Sequence, residues 1–341
     1  MDIVNVIDQA HGENWTVWHS DCVEMMRGLP ENSVHFSMFS PPFVSLFTFS
    51  DDIRDVSNNR SDDVFWDHYR FVIAGVYRAL KPGRLLSIHC MDLPSTITRN
   101  GFIGMRDFPA DNRRICEEVG FHFHSRVVIR KDPVAAMQRS KSIGLLHKQM
   151  VKDSALSRMG GMDQIITMRK PGDNDEPVSG MIEIYYGDDL TDAELEADAS
   201  RTFRQGSGER TFAQHKSISI WQRYAEPVWM DIAQSDVLSH RVARAEHDER
   251  HISPLQLTPI RRCLDLWTNP GDVVMSPFTG IGSVGYIAIE MGRKFIGAEL
   301  KASYYRQACA NLRLAERQMN DGTLFDDREK EPEPVNEGIF G

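Results

Sequence analysis

Short apolar runs closed by turn residues alternate with helical repeats at both ends of the chain. Ser33-Val-His-Phe-Ser-Met-Phe39 and Arg84-Leu-Leu-Ser-Ile-His-Cys90 are nearly continuous in apolar and small residues. That pattern predicts strands covered on both faces, as in a mostly parallel sheet. Between them, Val64 to Leu80 repeats apolar residues at helical spacing until Lys81-Pro82-Gly83, where a proline followed by a glycine predicts the end of a helix. Near the other end, Asp272-Val-Val-Met275 and Lys294-Phe-Ile-Gly-Ala298 read as strands flanking a glycine-containing turn and a helix over Ser283 to Met291. A further helix is predicted from Ser303 to about Gln318, and the polar, acidic stretch beyond Asn320 reads as a flexible tail over 320–341.

Strands alternating with helices predict an α/β chain with a doubly wound, mostly parallel sheet. The middle differs. From Arg126 to Lys170 there are ten Lys or Arg against three acids, whereas Asp173 to Asp198 carries ten acids and neither Lys nor Arg. No fixed-period repeat is evident.

The 341 residues, 41% of them hydrophobic, suffice for a large core and exclude global disorder. With 39 Lys plus Arg against 49 Asp plus Glu, the net charge of −10 excludes an overall basic coat for nucleic acid but allows a local basic face. No run of about 18 apolar residues and no basic leader is visible, so a cytoplasmic protein without a membrane partner is expected. Five cysteines without C-x-x-C pairs or zinc spacing point to reduced, buried thiols, with no metal expected.

Two stretches carry chemistry. Ser40-Pro41-Pro42-Phe43 follows a predicted strand, at the carboxyl edge where open α/β sheets bind ligands. Two prolines fix φ twice and remove two donors, leaving carbonyl acceptors beside a hydroxyl and an aromatic face. A planar heterocycle with an exocyclic amine could stack on Phe43 while donating to Ser40 and to the Pro41 carbonyl. Ser276-Pro-Phe278-Thr279-Gly280-Ile-Gly282-Ser283 lies between a strand and a helix, and its glycines allow a tight turn and close backbone approach. Glu299 ends the next strand, some twenty residues on, where an acid can bind both ribose hydroxyls of an adenosine-containing cofactor. Walker chemistry is excluded because no Gly-Lys-Ser/Thr follows; Gly280-x-Gly282-x-x-Gly285 keeps a nicotinamide site as an alternative.

Together these stretches resemble the amino-methyltransferases of DNA, and their order, catalytic block first and cofactor loop last, resembles the family's β class. The likeness covers roughly residues 15–130 and 250–315. It implies a Rossmann-like sheet of class I methyltransferase type with circularly permuted motif order and S-adenosylmethionine as cofactor. Ser40, Pro41, Pro42 and Phe43 would form the catalytic block. Cofactor contacts would come from Asp21 and Cys22, in a segment similar to the family's Gly-Asp-Cys, and from Ser276, Phe278, Thr279, Gly280, Gly282, Ser283 and Glu299. Two positions depart from the pattern: Ser276 stands where an acid is usual, and Ser253, in His251-Ile-Ser-Pro254-Leu-Gln-Leu257, stands where a Lys is usual. Around Phe43 to Asn59 the chain looks most like phage-borne and solitary bacterial methyltransferases.

The resemblance further implies duplex DNA as partner, a flipped adenine or cytosine, and two-fold recognition of a near-palindromic site by a homodimer. The expected organisation is a catalytic half over 1–131, a target-recognition insertion over 132–250 and a cofactor half over 251–319. Arg139, Lys141, His147 and Lys148, in the basic span, are the candidate DNA contacts. An RNA-directed methyltransferase of the same fold and a catalytically inactive DNA-binding module are the competing readings.

Overall fold

The apolar runs from the two ends of the chain become neighbours in one sheet. The computed structural model describes residues 6–42, 62–95, 97, 101–102, 104–134, 146–157, 160–187, 189–202, 211–238 and 254–326. In chain order the strands are β1 (Asp8–His11), β2 (Trp15–His19), β3 (Val34–Phe39), β4 (Leu80–Met91), β5 (Leu93–Ser95), β6 (Gly104–Arg106), β7 (His122–Ile129), β8 (Asp163–Arg169), β9 (Val228–Trp229), β10 (Val273–Ser276) and β11 (Lys294–Ala298). The helices are α1 (Cys22–Gly28), α2 (Asp62–Ala79), α3 (Phe108–Val119), α4 (His147–Lys152), α5 (Asp192–Thr202), α6 (Phe212–Ala225), α7 (Leu257–Trp267), α8 (Ser283–Glu290) and α9 (Ala302–Asp326).

Nine strands form the sheet in the order β1-β2-β11-β10-β3-β4-β8-β7-β9, and β5 and β6 pair separately. Strands β2, β11, β10, β3 and β4 run parallel to one another, so their carboxyl ends share one edge. The join between the distant ends of the chain is the β10–β3 pairing, Val274 opposite Phe36 and Met275 opposite Ser37, closed by the Ser37 hydroxyl donating to the Met275 carbonyl at 3.0 Å.

Both faces are covered, which explains the unbroken apolar runs. On one face Phe39, Leu86 and Ile88 pack with Met25, Phe65, Val72 and Ile115 of α1, α2 and α3. On the other, Phe36, Met38 and Val274 pack with Ile260, Ile287 and Leu312 of α7, α8 and α9. The sheet is thus doubly wound, as the alternation of elements predicts.

Two features depart from the sequence reading and one goes beyond it. The span 132–250 supplies two strands of the sheet itself: β8 lies antiparallel between β4 and β7, and β9 pairs with β7 at the edge. The acidic stretch is tied down where Glu176 meets His35 at 2.9 Å and Lys81 at 2.6 Å, and where the buried Arg262 donates to the Tyr186 carbonyl and to Asp231. Helix α9 runs on to Asp326, so residues 321–326, expected as flexible tail, are helical. Once a helix is nucleated by packing, each added residue propagates it with little further cost.

Candidate active site

The loop from β10 to α8 takes its shape from two residues with left-handed backbone, Gly280 at φ +58° and Gly282 at φ +91°. A Cβ at Gly282 would lie 3.3 Å from the Ala308 Cα, so the loop sits close against α9, whose Asn311 amide donates to the Ile281 carbonyl at 2.7 Å. At Gly280 a Cβ would meet nothing within 4 Å; the space beside this backbone is open. Gly285 has a packing role instead. A Cβ there would lie 2.6 Å from the Phe295 ring and 2.7 Å from Leu312, so this glycine lets α8 lie against β11.

Glu299 holds the loop from the neighbouring strand end. Its Oε2 accepts from the Gly280 N–H at 2.8 Å and its Oε1 from the Lys301 N–H at 3.0 Å. The Thr279 N–H donates to the Ala298 carbonyl at 3.0 Å, and the Glu299 N–H to the Trp18 carbonyl at 3.0 Å. Strand ends β2, β11 and β10 are therefore laced together at the carboxyl edge. Ser283, buried, opens α8.

Asp21 follows β2 and caps α1, its carboxylate accepting from the Val23 N–H at 2.7 Å. Cys22 beside it is buried, and burial, reinforced by Asp21, pushes its thiol well above the ordinary range, which leaves no thiolate for chemistry. Ser276 is only 1% exposed and its hydroxyl donates to the Phe278 carbonyl at 3.1 Å, so the side chain is turned into the loop. Phe278 meets Phe39 edge to face at 5.5 Å, which joins the glycine loop to the end of β3.

Beyond Phe39 come Ser40, half-buried, Pro41, buried, and Pro42, half-buried. They occupy the carboxyl edge of β3, directly beside β10 and its glycine loop. Phe43 lies outside the described residues, as do Arg139, Lys141 and Ser253. His147 and Lys148 are exposed at the start of α4. The segment that holds them leaves after Ile129 of β7 and returns at Asp163 of β8, and those two residues pair across the strands. It therefore leaves and rejoins the sheet at the edge that carries Ser40.

The residues present suit an adenosine-bearing sulfonium cofactor. Open space faces the Gly280 backbone next to a carboxylate anchored on two N–H groups, and the turn from Ser276 to Ser283 contains neither the Lys nor the Arg of a phosphate-binding loop.

Sequence reasoning missed a second cluster at this edge. Asp163, buried at the start of β8, faces Lys131 at 2.5 Å and His89 of β4 at 3.5 Å. Burial alone would raise its carboxyl, but His89 and Lys131 outweigh it and hold it down at about 2. No local signal joins these residues, which the antiparallel β8 brings together. At the opposite edge His35, Glu176 and Asp272 come within 4.8 Å of one another. There the Val273 N–H donates to His35 Nδ1, leaving Nε2 to donate to Glu176, while Lys81 and Arg84 pair with the carboxylates. That cluster is an ion-pair network.

Comparison with known proteins agrees with this architecture. The DNA methylase family model, named for N6 and N4 methylation, matches residues 34–310. Over 305 residues, 88% of this chain and 83% of the relative, the chain is 23% identical to the DNA adenine methyltransferase YhdJ of Escherichia coli K12. Another curated relative is matched over only 39% of its length. Among solved structures, the cytosine-N4-specific PvuII DNA methyltransferase superimposes with a TM-score of 0.55 at 16% identity, over 93% of this chain and 94% of that one. A proposed DNA modification methylase of Thermus thermophilus, solved with S-adenosyl-L-methionine, gives a TM-score of 0.55 at 22% identity, over 86% and 91%. The RNA-directed alternative finds no support in these matches. The family match spans most of the chain, and the sheet it implies is the sheet observed: the chain belongs to the DNA methylase family, the S-adenosylmethionine-dependent enzymes that methylate adenine N6 or cytosine N4.

Proposed function

We propose that the chain methylates the exocyclic amine of an adenine or cytosine flipped out of duplex DNA, with the Ser40-Pro41-Pro42-Phe43 block as the amine-binding edge. The observation that carries this reading is the parallel β10–β3 pairing, which sets the glycine loop and the double-proline edge side by side although 234 residues separate Pro42 from Ser276 in number. S-adenosylmethionine, when bound, supplies an electrophilic methyl group. The Glu299 carboxylate would take its ribose hydroxyls, the Gly280 to Gly282 backbone its close approach, and the Asp21 segment its adenine side.

The protein's task is then alignment. An exocyclic amine is a poor nucleophile because its lone pair is delocalised into the ring. The Ser40 hydroxyl and the Pro41 carbonyl would accept its two N–H groups and favour a pyramidal nitrogen, and Phe43 would stack on the extruded base. Ser276, with its hydroxyl committed to the Phe278 carbonyl, is assigned a loop-shaping role instead of direct contact. Cys22, a buried thiol, forms part of the wall.

The span between β7 and β8, with Arg139, Lys141, His147 and Lys148, would supply phosphate contacts at the same edge despite the negative total charge. A two-fold dimer on a near-palindromic site belongs to this reading and is checked by light scattering with and without DNA. The deciding experiment incubates the protein with labelled S-adenosylmethionine and either duplex DNA or RNA, followed by mass spectrometry of the nucleosides. Label in N6-methyladenine or N4-methylcytosine of the duplex supports the reading. Label confined to RNA, or absent from a folded, cofactor-binding protein, overturns it.

A further inference from the structure

The cluster that the sequence left unread stands one strand away from the double-proline edge. β4 lies directly beside β3, with Phe39 opposite Ile88, and the next residues are Ser40 on one strand and His89 on the other. Lys131 follows the end of β7 two strands further on, yet its ammonium reaches back across β8, where Asp163 Oδ1 lies at 2.5 Å and the Met91 sulfur of β4 at 4.0 Å. Its side chain is 22% exposed, while that of Asp163 is 3% exposed. The carboxylate is thus a fixed buried acceptor, and the ammonium is pinned at the rim of the edge that holds Ser40.

An ammonium has three N–H donors; Asp163 Oδ1 takes one and the Met91 sulfur, at 4.0 Å, a second. The remaining donor belongs to a head group whose charge is matched by the carboxylate behind it. Such a group is less a free cation for a phosphate than an oriented donor for a neutral acceptor. Adenine and cytosine share one feature beside the reactive amine: an unprotonated ring nitrogen on the adjacent position. At the equivalent ring position guanine (N1) and thymine (N3) carry an N–H beside a carbonyl instead of an amine, which would point a donor at a donor.

We propose that Lys131, positioned by Asp163 with His89 behind it, is a specificity-determining residue that donates a hydrogen bond to the ring nitrogen next to the target amine. Ser40 and the Pro41 carbonyl then accept from the amine while Lys131 donates to its neighbour, and the two together complement the N=C–NH2 edge common to both bases. This inference rests on the proposed amine-binding role of Ser40-Pro41. It does not depend on which of the two bases is the target.

The test is a cycle between enzyme and substrate. Duplexes carry the target base or its deaza analogue, 1-deazaadenine or 3-deazacytosine, in which the ring nitrogen is a C–H and the amine is kept. Wild type should lose roughly 10- to 100-fold in kcat/KM on the analogue, as for a lost hydrogen bond to a charged donor. Lys131→Met should lose a similar factor on the natural base and show almost no further loss on the analogue. Lys131→Arg should recover part of the loss. Because Lys131→Met strands the Asp163 charge, Lys131→Met with Asp163→Asn is measured as well and should show the same missing sensitivity. S-adenosylmethionine affinity should be unchanged in all three, since the glycine loop lies on the other side of β3.

Independent losses that multiply in Lys131→Met would overturn the proposal. So would a salt dependence of DNA binding reduced by about 0.9 in log–log slope, which marks a phosphate contact instead. Failure of wild type to methylate DNA at all would refute the proposed function, whereas an active wild type without the coupling refutes only the role of Lys131.

Discussion

Glu299→Gln separates the two duties that the structure gives to one carboxylate. Each oxygen accepts a backbone N–H, from Gly280 at 2.8 Å and from Lys301 at 3.0 Å. Glutamine keeps one carbonyl oxygen and turns an NH2 toward the other N–H, so one charge-assisted bond is lost and a donor faces a donor. A bond of that kind contributes about 1.5–3 kcal/mol. If the same oxygens also hold the ribose hydroxyls, the loss falls on cofactor binding and amounts to roughly 10- to 100-fold in Kd. Calorimetric titration with S-adenosylmethionine reads this directly, and a thermal melt reports the loop's share, expected at a few degrees. Turnover at saturating cofactor should change little, because Ser40 and Pro41 are untouched. An unchanged Kd together with a lowered Tm would refute the reasoning: Glu299 would then be a clamp on the glycine turn and nothing more.

Other perturbations bear on the same architecture. In Gly297→Ala the new Cβ would lie 2.2 Å from Thr279 Oγ1 and 2.8 Å from the Phe295 ring, so overpacking of about 1–3 kcal/mol should lower Tm and weaken cofactor binding together. Gly285→Ala, crowded by Phe295 and Leu312 beneath α8, should lower Tm by a similar amount while leaving cofactor affinity nearly intact; a large affinity loss there would contradict a packing role. All five cysteines are buried, and Cys22→Ala should keep turnover, while native protein treated with iodoacetamide should keep its activity; rapid inactivation would show an accessible thiolate. Burial lifts the Asp265 carboxyl to about 6, with Arg293 and Tyr224 opposing. An acid raised on folding binds its proton more tightly in the native state, so it weakens stability as pH rises between about 4 and 6. Asp265→Asn should remove that pH slope and stabilise by about 2–3 kcal/mol at pH 7.5 but hardly at pH 4, read from urea unfolding at both values.

What the sequence made legible was whatever depends on neighbours along the chain. Val34 to Phe39 and Lys294 to Ala298 are strands because their apolar runs are covered on both faces, and the Gly280 and Gly282 turn needs only its own φ angles. Position was also readable for Ser276, but not direction: its hydroxyl bonds the Phe278 carbonyl two residues on, a choice set by how the loop closes over Phe39. Asp21 stands at the end of β2 beside the glycine edge, and its bond to the Val23 N–H shows it serving a helix start as well. Asp163 and Gln164 to Met168 were silent, because an antiparallel strand inserted between β4 and β7 is fixed by register with residues some 75 positions earlier. No local pattern encodes such a pairing.

The permuted order of motifs follows from the same fact. Strands β10 and β3 pair edge to edge without a short connection between them, so the sheet is indifferent to which of the two the chain meets first. What it does require is that the intervening chain close the far side, and β4, β8 and β7 do so with Ile166 and Met168 buried beneath α2 and α3. The β7-to-β8 excursion then leaves and returns between Ile129 and Asp163, paired residues at the carboxyl edge. Its ends are pinned by the sheet while its length is not, so the surface offered to a partner can change without disturbing the strand ends proposed to align amine and methyl. The residue at its root, Lys131, is held by Asp163 and belongs to the rigid edge, which is why a base-reading duty fits it better than His147 and Lys148 further out.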